Sequence, residues 1–362
     1  MSKLKIYYDF QIMHMQQYGG ISRYFYDMIC SIESQKLADV KTDCLFNINE
    51  YFAEKGDKHF FMKKEPIRGG AFLNRRNTFH HLRKGYDIIH PTYYDPYILK
   101  ANTGKIVITI YDMIHERFPE LFPSDDCTVE YKKKMIYESD HIIAISQSTK
   151  NDILQIYPDI AESKISVIYL ASNFSERIYD EKKVFSQKKY VLFVGRRDKY
   201  KNFIAFFEGV KKLLIEDEEL NLICAGGGSF TAEEKELIGS LSKQVQQLDV
   251  NDEKLYLLYS NAICFVFPSL YEGFGIPTLE AFGCGCPVLL SNSSSMPEVG
   301  GDAVVYINPK ESKDIEKKVR QVITTPILRK ELICKGKERL KHFTWDSVAR
   351  QTVECYERVV NS

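Results

Sequence analysis

The stretch FVFPSLYEGFGIPTLEAFGCGCPVLLSN, residues 265–292, decides the fold. It begins and ends with short, continuous apolar runs, and between them a glycine loop leads into a helical pattern. Continuous apolar runs are typical of strands covered on both faces, as in a parallel sheet. The stretch therefore predicts a strand, a loop, a helix and a second strand, which is the repeating unit of a doubly wound α/β fold.

The same alternation of apolar runs and helical patterns continues along all 362 residues. Strands are predicted at 4–10, 43–48, 86–92, 105–112, 141–146, 164–170, 190–195, 220–226, 262–269 and 286–292. Helices are predicted near 21–34, 126–139, 148–157, 201–216, 231–247, 276–284, 312–324 and 346–361. This length is comfortable for two domains, so we expect an α/β protein with two Rossmann-like, doubly wound domains facing each other across a cleft.

A polar, charged segment at 174–190 separates the two series of strands and is interpreted as the linker. It predicts an N-terminal domain at 1–178 and a C-terminal domain at 179–345. The last helix, 346–362, is expected to pack back on the N-terminal domain.

The composition argues against several classes of protein. Lys+Arg and Asp+Glu both total 49, and a nucleic-acid-binding protein usually has a basic surplus. The nine cysteines are scattered, and Cys284 and Cys286 lack the second pair that a zinc site needs. We see no signal peptide and no apolar run long enough to span a membrane, so we expect a cytoplasmic protein.

The segment RGGAFLNRRNTFHHLRKG, residues 68–85, mixes basic and aromatic side chains. One interpretation is a solvated loop and helix. The other is a surface that contacts anionic lipid or an anionic acceptor, which would place the protein peripherally at a membrane.

Ligands of parallel sheets bind beyond the carboxyl ends of the strands, so the loops that follow strands are the candidate sites. Gly19 and Gly20 precede a helix, where bare backbone allows a ligand to approach. A glycine turn at 226–228 has the same property, although no dinucleotide fingerprint occurs at any strand end. A nicotinamide dehydrogenase is therefore disfavoured.

The loop GRRDKYKNF, residues 195–203, places cations just before a helix, where they oppose the helix dipole. This unfavourable placement indicates that Arg196 and Lys201 bind a ligand, and a diphosphate is the expected ligand. For Arg197 and Lys199 an exposed basic turn is the favoured interpretation.

In YEGFGIPTLE, residues 271–280, Glu272 belongs to the loop and Glu280 to the helix, so they are not predicted to form an acid and base pair. Carboxylates in such places bind hydroxyl groups, and the backbone between them can bind phosphate. Two hydroxylated rings joined by a diphosphate describe a nucleotide sugar. A capped helix with a glycine loop is the structural alternative for this segment.

Nearly the whole chain resembles the family-four retaining glycosyltransferases, which have the GT-B fold. The resemblance rests on GGISRY (19–24), VITIYDMIHERFPE (107–120), AISQSTKNDIL (144–154), VGRRDKYKN (194–202), LYSNAICFVFPS (258–269), the segment from 267 to 309 and the last helix.

The resemblance implies roles for the candidate residues. Glu272 would contact donor-sugar hydroxyls at the reacting carbon, and Glu280 would hold the ribose. Arg196 and Lys201 would neutralise the diphosphate, so that no metal or cofactor is needed. Sugar and phosphate would be bound by the backbone of Gly20, Phe274, Gly275, Thr278 and Leu279.

One departure from the family concerns a histidine. Where the family often has His-Asp after a strand, this chain has Tyr111 and Asp112. Asp112 and His115 are therefore the candidate catalytic residues of the N-terminal domain, with His90 as a second candidate histidine and a structural role open for both histidines. These residues are expected to serve the acceptor.

The resemblance implies a metal-independent, retaining transfer of a hexose from a nucleotide-diphosphate sugar, with GDP-mannose favoured. The acceptor would be a glycan or a lipid-linked saccharide in lipopolysaccharide O-antigen or capsule assembly, and no nucleic-acid partner is expected. A GT-B nucleotide-sugar epimerase and a non-catalytic nucleotide-sugar or glycan-binding protein remain as alternatives.

Overall fold

The computed structural model describes residues 3–54, 69–101, 103–172, 174, 189–197 and 199–362. The chain forms two compact units, one of Met1–Leu170 with Trp345–Ser362 and one of Ala171–Thr344. The predicted domain boundary at 178/179 and most of the predicted linker lie outside the described residues.

The first unit contains a parallel six-stranded sheet with the strand order β2-β1-β3-β4-β5-β6. Its strands are β1 (Lys5–Tyr8), β2 (Asp39–Thr42), β3 (Ile88–His90), β4 (Lys105–Ile110), β5 (His141–Ala144) and β6 (Ile165–Val167). Its helices are α1 (Gln11–Met15), α2 (Gly20–Ser34), α3 (Glu50–Glu54), α4 (Gly70–Leu82), α5 (Ile114–Arg117), α6 (Thr128–Glu138), α7 (Gln147–Ile156) and α15 (Trp345–Asn361). Short 3-10 turns occur at Pro96–Lys100, Pro119–Leu121 and Glu162–Lys164.

Helix α15 ends the chain and packs in the first unit. The Tyr356 hydroxyl lies 3.0 Å from the Tyr8 hydroxyl and 2.5 Å from Nδ1 of His90, all three being fully buried. Near the start of the helix, the Ser31 hydroxyl donates to Oδ1 of Asp346 at 2.8 Å. These contacts join α15 to β1, β3 and α2, because a buried hydroxyl must find a partner.

The second unit contains another parallel sheet, with the order β12-β11-β10-β7-β8-β9. Its strands are β7 (Tyr190–Val194), β8 (Asn221–Ala225), β9 (Val245–Leu248), β10 (Cys264–Phe267), β11 (Val288–Ser291) and β12 (Val305–Ile307). Its helices are α8 (Phe203–Glu216), α9 (Ala232–Ile238), α10 (Asp252–Asn261), α11 (Ile276–Gly283), α12 (Met296–Gly300), α13 (Ser312–Thr324) and α14 (Pro326–Leu340), with 3-10 turns at Lys199–Lys201 and Gly239–Lys243. Among the residues that the structure describes, no helix is both long and apolar enough to cross a membrane.

Most of the predicted strands and helices are confirmed, but two are wrong. Residues 43–48, all of them described, form no strand, because the side chain of Asn74 accepts hydrogen bonds from the backbone N–H groups of Leu45 and Phe46 at 2.8 and 3.1 Å. The predicted helix 231–247 breaks at Gly239, where φ is 52°, and its last part is strand β9. The prediction also missed strands β2 and β12 and helices α1, α3, α5, α10, α12 and α14.

Helices α8 and α13 approach closely at Gly209. A Cβ atom there would lie 2.8 Å from Cγ2 of Ile315 and 2.8 Å from the carbonyl oxygen of Ser312. These distances are well inside van der Waals contact, and Ile315 is fully buried. Glycine is therefore required by the packing of this pair of helices.

We expect Gly209→Ala to destabilise the second unit by about 1–3 kcal/mol, because overpacking outweighs the gain in helix propensity. Gly20→Ala, in α2, is the matched control, since nothing lies within 4 Å of a Cβ there. Urea unfolding followed by circular dichroism measures both changes. Equal stability of the two variants would contradict this account of the packing.

Candidate functional site

The candidate site lies where β7 and β10 pair at the centre of the second sheet. The chain leaves β7 towards β8 on one side, and β10 continues towards β11 on the other. This is the topological switch point, where loops leave in opposite directions and open a crevice at the carboxyl edge. The two loops at this edge are 195–202 and 268–275, and the N–H group of Leu270 joins them by donating to the Tyr200 carbonyl at 2.7 Å.

Lys201 and Glu272 meet at this crevice. Nζ of Lys201 donates to Oε1 of Glu272 at 2.7 Å, and both side chains are largely buried. The ammonium group also lies 5.6 Å from the centre of the Phe267 ring, within the range of a cation–π contact. The two residues are 71 positions apart, so only the pairing of β7 with β10 brings them together.

Helix α11 begins beside this pair. Gly275 precedes the helix with φ of 104°, a conformation that glycine adopts readily, and Pro277 occupies its first turn. Thr278 and Leu279 are fully buried, backbone included, and the Thr278 N–H group donates to the Gly275 carbonyl at 2.9 Å. The structure therefore does not expose the predicted backbone contacts of these two residues, and the positive end of the α11 dipole is the feature of this segment that would attract an anion.

Two serines hold the loop that carries Glu272, and the sequence did not single them out. The Ser294 hydroxyl accepts from the Glu272 N–H group at 2.9 Å. The buried Ser295 hydroxyl lies 2.8 Å from the Glu272 carbonyl and 3.1 Å from the Phe274 carbonyl, and can donate to either. The signal that could have found them is the polar run SNSSS directly after β11, at the carboxyl edge of the same sheet.

Glu280 lies inside α11 and is half-buried. The hydroxyl of the buried Tyr259 donates to its Oε2 at 3.4 Å. Burial, reinforced by the nearby carboxylate, raises the pKa of Tyr259 well above its usual value, so Tyr259 remains a hydrogen-bond donor at neutral pH. The structure thus separates the roles of the two glutamates, since Glu272 faces a lysine and Glu280 faces a tyrosine.

Arg197 corrects the interpretation of the basic loop. Its side chain is 4% exposed, and its Nε donates to Oε1 of Glu234 at 2.8 Å. The same guanidinium donates to the carbonyls of Gly226 and Gly228 and lies 4.8 Å from the centre of the Phe230 ring. Arg197 is therefore not an exposed basic residue but the group that holds the glycine turn after β8. The side chain of Lys199 lies outside the described part of the structure, so its predicted exposure is not tested.

Arg196 is exposed at the same loop, in contrast to its neighbour. The turn that carries it begins at Gly195, where φ is 109°. The backbone therefore sends two adjacent arginines in different directions, one into the protein and one towards solvent. Of these two arginines, Arg196 is the one whose side chain is exposed to solvent.

The predicted residues of the first unit lie after β4. Oδ1 of Asp112 accepts from the N–H group of Ile114 at 3.0 Å, at the start of α5. His115 stacks on Phe122 with ring centres 3.7 Å apart, and its Nε2 lies 3.6 Å from Oδ2 of Asp126. Burial lowers the pKa of His115, which favours the neutral imidazole. Beneath them, Nζ of the buried Lys132 donates to the Asp112 carbonyl at 3.0 Å.

His90 is a residue of the core. Its Nδ1 is bonded to Tyr356, and its Nε2 lies 2.9 Å from the hydroxyl of Thr109. Burial lowers its pKa to about 3. With both ring nitrogens occupied inside the protein, His90 is placed as a structural group. Tyr111 is likewise buried, and its hydroxyl donates to the Thr92 carbonyl at 3.3 Å.

Gly20 opens helix α2 at the carboxyl edge of the first sheet, and nothing lies within 4 Å of a Cβ built on it. At Gly19 a Cβ would lie 2.2 Å from Oε1 of Gln16. The backbone at Gly20 is therefore exposed, and its binding of a ligand stays a prediction. Among the described residues no group of three His, Cys, Asp or Glu side chains is arranged for a metal ion.

The chain is similar in sequence and in structure to known glycosyltransferases. A family model described as "Glycosyl transferases group 1" matches residues 175–339. O-antigen chain mannosyltransferase B of Escherichia coli is 28% identical over 320 residues, which are 82% of this chain and 82% of that protein. An uncharacterized glycosyltransferase, MJ1607 of Methanocaldococcus jannaschii, is 28% identical over 295 residues and 75% of each chain.

Two solved structures share the fold of nearly the whole chain. A glycosyltransferase from Rickettsia africae matches with a TM-score of 0.75 over 99% of both chains, at 18% identity. Anabaena HepE in complex with UDP and glucose matches with a TM-score of 0.74, over 98% of this chain and 99% of that one, at 16% identity. The two parallel sheets thus have the GT-B fold. The match of residues 175–339 to the group 1 family model and the similarity to the O-antigen mannosyltransferase indicate a glycosyltransferase, and the resemblance to the family-four glycosyltransferases is confirmed.

The two adjacent arginines provide a stability test. We expect Arg197→Ala to lower the free energy of unfolding by about 3–5 kcal/mol, because it leaves Glu234 buried and unpaired. Arg196→Ala, one residue earlier and exposed, should cost less than about 1 kcal/mol. Urea titrations measure both. Similar losses in the two variants would refute the structural role of Arg197.

His90 predicts a pH dependence of stability. Its pKa in the folded protein, about 3, lies below the usual value of a free histidine, so the unfolded chain takes up the proton first as the pH falls. Stability is therefore lost progressively as the pH falls from about 6.5 towards 3. Between pH 6.5 and 5.0 the loss from this residue should be about 1.5 kcal/mol.

The measurement compares urea unfolding at these two pH values in the wild type and in His90→Gln. The variant should lose less stability on acidification than the wild type does. His342→Gln, which removes an exposed imidazole, is the control. An unchanged pH dependence in His90→Gln would show that this side chain is not buried in the neutral form.

Proposed function

We propose that this glycosyltransferase moves a hexose from a nucleoside-diphosphate sugar to a saccharide or lipid-linked saccharide, with retention of configuration and without a metal ion. GDP-mannose is the proposed donor, and the product is a surface polysaccharide such as an O-antigen or a capsule. The names of the relatives support this: beside the E. coli enzyme, O-antigen chain mannosyltransferase RfbU of Salmonella typhimurium is 28% identical over 222 residues, 60% of this chain and 61% of that protein.

The contact between Lys201 and Glu272 carries the proposal. It places a cation and a carboxylate at the switch point of the sheet, beside the N-terminus of α11. A diphosphate that enters there competes with Glu272 for the ammonium group, and the released carboxylate becomes an acceptor for sugar hydroxyls. The ion pair thus keeps both groups in position until a ligand that offers both phosphate and hydroxyl groups replaces it.

In the proposed reaction the bond between the anomeric carbon and the diphosphate oxygen breaks, and a bond to the acceptor oxygen forms on the same face. The departing diphosphate gains negative charge and takes the proton of the acceptor hydroxyl. Lys201, Arg196 and the positive end of the α11 dipole stabilise that charge, which develops mainly in the transition state. Because these groups supply the positive charge, the proposal includes no metal or other cofactor. Glu280 binds the ribose.

The acceptor is assigned to the first unit, with Asp112 and His115 as its polar contacts. The low pKa of His115 supports a neutral imidazole that can accept or donate a hydrogen bond to a hydroxyl group. We place the reaction on the cytoplasmic side, at the inner face of the membrane, with peripheral contact.

Replacing Lys201 tests the donor site. We expect Lys201→Ala to weaken GDP binding about 10- to 100-fold, since a charge-assisted hydrogen bond contributes about 1.5–3 kcal/mol. Isothermal titration calorimetry measures the affinity. Lys235→Ala, an exposed lysine of α9 in the same unit, is the charge-matched control. Near-native affinity for GDP in Lys201→Ala would contradict the assignment of Lys201 to the donor diphosphate.

A thermal-shift screen with GDP-, UDP-, dTDP- and ADP-sugars identifies the donor, because binding to the folded state raises its apparent stability. GDP-mannose is expected to give the largest shift. Proton NMR of the transferred sugar then reports the anomeric configuration. Conversion of the donor sugar without an acceptor would indicate an epimerase, and binding without transfer or hydrolysis would indicate a binding protein.

A further inference from the structure

A cavity of about 500 Å³ lies beside α4 in the first unit, away from the residues assigned above. Helix α4 and the 3-10 turn Pro96–Lys100 form its walls. It is lined by Phe72, Arg75, Arg76, Phe79, His80, Arg83, Tyr97 and Lys100. Its volume is in the range of small-molecule sites, and every lining residue is aromatic or basic.

The order of these residues along α4 is unusual. Phe72, Arg76, Phe79 and Arg83 follow each other at intervals of four, three and four positions, so they share one stripe of the helix. The opposite side packs inwards, with Asn74, Thr78 and Leu82 among its buried residues. Aromatic and cationic side chains therefore alternate along one outer face.

The positive charge of this stripe is not balanced locally. Arg75 is paired with Asp95 and lies 5.4 Å from the centre of the Tyr97 ring, which makes it part of the wall. In the described part of the chain, Arg76, Arg83 and Lys100 form no ion pair. Three cations around a cavity of this size favour a ligand with at least two negative charges.

We propose that this cavity binds the diphosphate of a lipid-linked acceptor. Arg76, Arg83 and Lys100 bind the phosphate oxygens, and Phe72 and Phe79 contact the apolar or sugar portion next to the diphosphate. Phe72 lines the cavity and is 67% exposed, which leaves apolar surface for a lipid chain. The inference rests on the proposed function, because it names the part of the acceptor that the first unit recognises.

A flat membrane surface fits this face less well. An interfacial helix separates its apolar face from its charged face, so that one is buried in lipid while the other stays in water. On α4 the phenylalanines and arginines share a stripe, and burying Phe72 and Phe79 in a bilayer would also bury Arg76. A concave site that offers both an aromatic surface and cations suits a single diphosphate group with its attached chain.

The test measures binding of farnesyl diphosphate to the full chain by isothermal titration calorimetry. In Arg76→Gln/Arg83→Gln the affinity should fall about 10- to 100-fold, as expected for the loss of two charge-assisted contacts. Lys84→Gln/Lys133→Gln removes the same charge from exposed positions of the same unit and should bind like the wild type. The Arg76/Arg83 variant should keep its affinity for GDP, whereas Lys201→Ala should show the reverse pattern.

Three results would overturn the proposal. In the first, the wild type does not bind farnesyl diphosphate, and in the second, both double variants lose the same affinity for it. In the third, the Arg76/Arg83 variant loses binding to phosphatidylglycerol vesicles but keeps its affinity for farnesyl diphosphate. The last would assign the face to a lipid surface. Inorganic pyrophosphate separates the phosphate contribution from that of the chain, and it should bind more weakly than farnesyl diphosphate if the phenylalanines contribute. Affinity for inorganic pyrophosphate equal to that for farnesyl diphosphate would refute the aromatic contact.

The binding measurements test the cavity separately from the proposed sugar transfer. Loss of farnesyl diphosphate binding in the Arg76/Arg83 variant, together with no sugar transfer from any donor, would support the cavity and reject the proposed function. Transfer that proceeds with equal acceptor KM in the variant and the wild type would reject the cavity alone.

Discussion

The parallel pairing of β7 with β10 is the constraint on which the candidate donor site depends. Parallel neighbours end at the same edge of a sheet, so the loops that follow them must meet there. This brings Lys201 and Glu272 within 2.7 Å although 71 positions separate them. The start of α11 and the serines after β11 then complete the same edge, because β11 is the next strand in the sheet.

In each unit a largely buried ionisable side chain ties together loops at the carboxyl edge of the sheet. In the second unit Arg197 fixes the turn after β8 through the carbonyls of Gly226 and Gly228. In the first unit Asp9, directly after β1, accepts from the Thr92 N–H group at 2.8 Å and from the Tyr97 hydroxyl at 2.9 Å. Because a buried polar group must be hydrogen-bonded, these contacts tie the loops to their neighbours.

Much of the fold could be predicted because it follows from local patterns. Continuous apolar runs identified most strands, and the helix at 312–324 was predicted with its observed bounds. The errors occurred where a tertiary contact decided the outcome. Leu45 and Phe46 belong to an apolar run typical of a strand, but the side chain of Asn74 on α4 accepts the hydrogen bonds of their N–H groups. Residues 245–248 continue a helical pattern, but β8 offers them a free edge to pair with.

The sequence by itself determined the fold class, the glycosyltransferase resemblance and the residue types of the site, because glycine turns, helix starts and apolar runs are encoded by neighbouring residues. Tertiary structure alone decided what each charged residue does. Arg196 and Arg197 are adjacent and chemically identical, yet one faces solvent and the other bonds Glu234. That choice depends on a partner 37 positions away, and the energy of a charged group is set by whether such a partner reaches it.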